Sequence, residues 1–148
     1  MRVFIPLLLS FFSALAEIDG RVEYVGGTLQ LVKNGSQGII KTTHTATLIV
    51  EVGRSIVQVP YSQINLLEYG QHVNRRLALA IVVSPLFLLS KAKRHFLTVG
   101  YQDGESKQQA MVLRVGKGDV RAVLASLEAR TGLKIQYQDE NARKAGRG

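Results

Sequence analysis

The sequence predicts a mainly β fold of the α+β type: a partly open barrel of about six to seven antiparallel strands, with a C-terminal amphipathic helix over its open end. Three observations predict it. Much of residues 21–116 alternates apolar and polar side chains with period two. Turn signals separate these runs at roughly the 8–12-residue spacing of barrels and sandwiches. One segment near the end switches to helical spacing.

In "RVEYVGGTLQLVK", Val22, Tyr24, Leu29 and Leu31 alternate with polar neighbours, and Gly26-Gly27 marks a bulge or corner within the run. Asn34-Gly35 is a two-residue turn signal after it. "THTATLIVEV", rich in β-branched residues, reads as the second strand. "SIVQVPY", entered through Gly53-Arg54, is the third, and "QINLLEYG", ended by Gly70, the fourth. "HFLTVGYQD" and "KQQAMVLRVG" form a hairpin across Asp103-Gly104.

"GDVRAVLASLEARTG" then places Val120, Val123, Leu124 and Leu127 at i, i+3, i+4 and i+7, one apolar helix face. Asp119 is suited to cap the helix start, because its carboxylate can accept the first orphan amide hydrogens. Gly132 suits a left-handed C-cap, and Arg130 favours the negative end of the helix dipole. "LKIQYQ" is a short alternating piece, and the polar tail of residues 138–148 is expected to fray.

The first residues belong to targeting rather than fold. "MRVFIPLLLSFFSALAE" has a positive start at Arg2, an apolar run from Val3 to Leu15, and a small-residue cleavage pattern at Ala14-Leu15-Ala16. Residues 1–16 are therefore expected to be a signal peptide cleaved after Ala16. The domain proper is expected over residues 21–137. The chain has no cysteine, so lipid anchoring through a lipobox cysteine and any disulfide framework are both ruled out. An exported chain without cysteines suits a bacterial periplasm or cell envelope.

Residues 73–91 interrupt the strand pattern. Leu77 to Leu89 carries no charge, Arg75 and Arg76 stand before it, and Lys91, Lys93 and Arg94 come after. As a helix this run would extend about 20 Å, against a hydrocarbon core of about 30 Å. Pro85 also removes a backbone donor and disfavours helical geometry at Ser84. A continuous membrane span is therefore not expected. Two readings are left: an apolar insertion hinged at Pro85 that packs on the domain, or an apolar hairpin that dips into a leaflet while its basic flanks meet anionic headgroups. In the second, Arg75, Arg76, Leu86, Phe87, Leu88, Lys91, Lys93 and Arg94 make the membrane or partner contact.

The strand-then-helix plan resembles pleckstrin-homology-like domains, including GRAM domains. "VPYSQINLLEYG" looks like a step midway through such domains, and "KRHFLTVGYQDGESKQQAMVLRV" with a helix after it looks like their last hairpin and closing helix. The chain also resembles exported bacterial proteins of unknown function that carry "EYG", "SPLFLLSK" and "LEARTG" in this order. The resemblance covers about residues 21–137 and implies a fold, not an activity. Members of the fold mostly bind phosphoinositides or peptides, with lipid-binding lysines in the first hairpin. Here Lys33 and Lys41 flank that loop, "KNGSQGIIK", and are the implied loop contacts.

No constellation for catalysis emerges. His44, His72 and His95 are far apart and form no metal-ligand pair, so neither metal nor cofactor is expected. Asp103 and Glu105 sit in a hairpin tip, where carboxylates usually serve the turn. "GKGD", Gly116 to Asp119, lacks the spacing of a phosphate-binding loop and reads as a turn plus helix cap. The chain carries 19 Lys+Arg against 11 Asp+Glu, a net charge of +8. From Tyr69 to Gln102 there is no acidic residue. Such a patch attracts anionic lipid or acidic polymer; nucleic acid is not expected after export. The sequence thus points to a non-catalytic envelope binding module that meets an anionic membrane surface or an envelope protein. The alternatives are a structural or homo-oligomeric periplasmic protein with the insertion as its interface, and an enzyme of unidentified type.

Overall fold

The computed structural model describes residues 19–71 and 94–147, together with the backbone of 82–83. The expected signal peptide lies outside the described residues, as does most of the 73–91 insertion.

The strands are β1 (Asp19–Gly27), β2 (Ser36–Lys41), β3 (Thr47–Val52), β4 (Ser55–Pro60), β5 (Ile64–Gly70), β6 (Val82–Val83), β7 (Phe96–Gln102), β8 (Gln108–Val115) and β9 (Gln136–Tyr137). A short 3-10 helix (Tyr61–Gln63) between β4 and β5 and two α-helices, α1 (Val120–Thr131) and α2 (Glu140–Arg147), complete the described elements. Eight strands make one continuous sheet in the order β4-β3-β2-β1-β8-β7-β5-β9, and β6 pairs with β1 beside that path. All pairings are antiparallel except that of β5 with β9. The sheet does not close into a ring.

The expected first strand is cut short. β1 stops at Gly27, where φ is +148°, and Thr28 makes one last bond to β8 through the Ala110 carbonyl at 2.9 Å. The corner predicted at Gly26-Gly27 is present as a register shift between Tyr24 and Gly26 against β8. Leu31, read as part of that strand, is 91% exposed in the connecting turns. Asn34-Gly35 does turn the chain: Gly35 has φ of +89° and donates its N–H to the Tyr24 carbonyl at 2.7 Å. This turn leads into β2, "SQGIIK", a strand that the sequence pattern conceals. It contains a glycine and has only one fully buried residue, Ile40, so period two leaves little trace in it.

The hairpin of β7 and β8 is as expected, and Asp103 organises its tip. One carboxylate oxygen accepts from the Glu105 and Lys107 amides at 2.9 and 3.0 Å, and the other from Gln109 Nε2 at 2.9 Å. The Lys107 amide, with help from Gln109 and Glu105, holds the Asp103 carboxyl below its ordinary value of 3.8. A depressed carboxylate pKa stabilises the fold fully above the ordinary value, and the contribution is lost as pH falls through the folded one. Asp103→Ala should therefore melt below the parent at neutral pH, with the gap shrinking as pH falls below 3.8. A gap of unchanged size in acid would refute this assignment.

One face of the sheet carries the main core. Val22, Tyr24, Ile40, Leu48, Val50, Leu67, Leu97, Val99, Met111 and Leu113 are buried there with the predicted α1 face of Val120, Val123, Leu124 and Leu127. Fully burying each such aliphatic side chain is worth about 1.5–3 kcal/mol. The intervening residues Val25, Phe96, Ala110 and Val112, with Leu66, form a smaller cluster on the opposite face.

Two end features of α1 divide. Gly132 adopts the left-handed C-cap, with φ of +73° and its N–H on the Glu128 carbonyl. Asp119, however, makes no side-chain capping bond. Its backbone already has helical dihedrals, φ −105° and ψ −15°, whereas capping geometry needs the extended region. The tail also differs from expectation: α2 folds back, and Ala142 is fully buried in the main core. Its composition is polar, but one small residue in each of its two turns, Ala142 and Gly146, faces inward, and Gly146 lets it approach Tyr137 and Leu124.

Candidate functional site: a cationic groove at one end of the sheet

At one end of the sheet, the start of β1, the end of β8 and the β8–α1 corner meet the start of β7. They enclose a groove of about 940 Å³. Its charged lining is Arg21, Arg94, Arg114, Lys117 and Arg121, against the single carboxylate of Glu23. The strand ladder explains part of this. Register pairs Glu23 with Gln37 on one side and Arg114 on the other. Glu23 Oε2 accepts from Gln37 Nε2 at 3.1 Å and forms an ion pair with the Arg114 guanidinium. Arg114 is thereby neutralised and held in place.

Arg21 is bound more loosely. Asp119 Oδ2 accepts the Arg21 backbone N–H at 3.0 Å and lies 3.8 Å from Arg21 Nε, whose side chain is 85% exposed. The Gly116 N–H donates to the Arg21 carbonyl at 2.7 Å. These two backbone bonds clip the β8–α1 corner onto β1, which brings Lys117 and Arg121 beside Arg21. Among the described residues, Arg94, Lys117 and Arg121 have no acidic partner, and all three are exposed.

The inner wall is aromatic. His95 stacks on Tyr69 with ring centroids 5.5 Å apart, and Tyr137 meets Tyr69 edge-on. Burial pushes the Tyr69 hydroxyl up to about 12, with the Tyr137 phenol adding to the rise, so it stays neutral at ordinary pH. His95 Nε2 and Glu68 Oε2 are buried without a hydrogen-bond partner among the described residues, while Glu68 Oε1 accepts from Gln138 Nε2 at 2.6 Å.

Of the residues predicted from sequence that are among the described residues, only Arg94 lines this groove. Arg75, Arg76, Leu86, Phe87, Leu88, Lys91 and Lys93 lie outside the described residues. Lys33 is exposed in the turn before β2, and Lys41 is ion-paired with Glu51 at 2.8 Å. His44 is exposed and accepts from the Ala46 N–H. Among the described residues no group of three His, Asp or Glu is placed to hold a metal ion. None of the described helices is long and apolar enough to cross a membrane.

Arg21, Arg114, Lys117 and Arg121 escape a count of charge along the chain, because they come from separate elements that only folding brings together. The available signal was "GKGD" next to Arg121, a basic corner that reads as a plain turn until Arg21 is brought against it. The chain matches no protein-family model and no curated protein.

Proposed function

We propose that this protein is a non-catalytic binding module of the pleckstrin-homology-like kind that works at an anionic surface of the bacterial cell envelope. A meander of antiparallel strands with an amphipathic helix packed on the sheet supports the family reading. The observation that carries the functional reading is the groove, where Arg94, Lys117 and Arg121 are exposed with no acidic partner among the described residues, beside the loosely held Arg21. Such a cluster attracts anions, because the summed field of its like charges raises their local concentration. Arg94 belongs both to this lining and, in the sequence, to the basic flank of the apolar segment.

The purified protein should sediment with vesicles containing phosphatidylglycerol and leave pure phosphatidylcholine vesicles unbound. Each basic residue near an anionic leaflet contributes about 1 kcal/mol, so three unpaired ones favour the anionic vesicles by roughly a hundredfold. Added salt should erase most of that preference. Equal binding to both vesicle types, or binding indifferent to salt, would defeat the reading.

A further inference from the structure

We infer that the groove is built to hold a phosphate group, gripped by Lys117 and Arg121 at the β8–α1 corner and by Arg94 at the entry to β7, with Arg21 recruited from Asp119. This rests on the anionic-surface reading above and names the chemical group that the site selects.

The charges choose the ligand. Arg114 is committed to Glu23, which leaves Arg94, Lys117 and Arg121 without an acidic partner among the described residues and Arg21 only loosely held. One carboxylate would neutralise a single cation. A phosphate monoester or diphosphate carries about two charges and several acceptor oxygens, and it matches the planar fork of arginine. Asp119 is the gate on affinity. Its carboxylate is the nearest negative charge to Arg21 and makes no cap bond to α1, so it is not consumed by the helix. When a phosphate enters, the Arg21 guanidinium, already 85% exposed and 3.8 Å from Asp119, swings to it at little cost.

Two sources share this chemistry, a free phosphate compound and a phosphate-bearing lipid headgroup. The test therefore has two arms on the full chain: calorimetric titration with inorganic pyrophosphate, and flotation with phosphatidylcholine vesicles containing phosphatidic acid. Pyrophosphate should bind, and the exposed-residue variant Lys117→Ala/Arg121→Ala should weaken it by at least about tenfold with its melting temperature unchanged. Asp119→Asn keeps an acceptor for the Arg21 amide while releasing its guanidinium, and should tighten pyrophosphate binding about threefold or more. Competition by pyrophosphate for the vesicles identifies the headgroup as the source. Pyrophosphate binding without vesicle binding identifies a soluble ligand: the phosphate site then holds while the membrane reading falls. Vesicle binding with no pyrophosphate binding, or pyrophosphate binding that both variants leave unaltered, overturns the phosphate site and leaves the membrane reading standing.

Discussion

Leu127→Ala is expected to destabilise the protein by about 2–5 kcal/mol and to lower its melting midpoint by roughly 10 °C. Leu127 is fully buried on the α1 face, in the same cluster as Leu124, Val123 and the sheet residues. Truncation removes the transfer energy of the side chain and leaves a cavity that a β-sheet floor cannot collapse to fill. The consequence reaches the groove, because α1 carries Arg121 and the Gly116–Asp119 corner is its leading turn. Denaturant unfolding of parent and variant measures the cost. A difference under about 1 kcal/mol would mean that α1 is not held by this face, and the account of how Arg121 is positioned would fall with it.

Gly38→Ala should cost about 1–3 kcal/mol, and Gly38→Val more. A Cβ built at Gly38 would stand 1.8 Å from the Glu51 carbonyl oxygen and 2.8 Å from the Val52 Cα. Both are backbone atoms of β3, so relief requires the β2–β3 ladder to open. Gly104→Ala is the matching control, since a Cβ there meets nothing within 4 Å, and it should stay within about 0.5 kcal/mol of the parent. Equal melting of the two variants would show that β2 and β3 do not approach as closely as the register implies.

Local chemistry makes several elements legible before folding is considered. α1 announces itself by the spacing of Val120, Val123, Leu124 and Leu127, and its end by Gly132, because an amphipathic face and a left-handed cap depend on residues within one segment. The β7–β8 hairpin is legible for the same reason, as Asp103 satisfies its own turn. β2 is illegible because a glycine pressed against β3 looks in sequence like a loop residue. α2 is illegible because its docking depends on the small size of Ala142 and Gly146, not on an apolar stripe.

The sequence alone determined the mainly β class, the single apolar helix face, the absence of cysteine chemistry and the excess of basic charge, for each of these is a property of composition or of short-range spacing. The tertiary structure decided where that charge collects. Arg21 and Lys117 are 96 positions apart in the chain. They line one groove only because β1 and β8 are ladder neighbours, and because Asp119 and Gly116 bond to the backbone of Arg21. The preference of Asp119 for Arg21 over its own helix is likewise a tertiary outcome. Its helical dihedrals turn the carboxylate away from the first-turn amides, and only the fold places a strand within its reach.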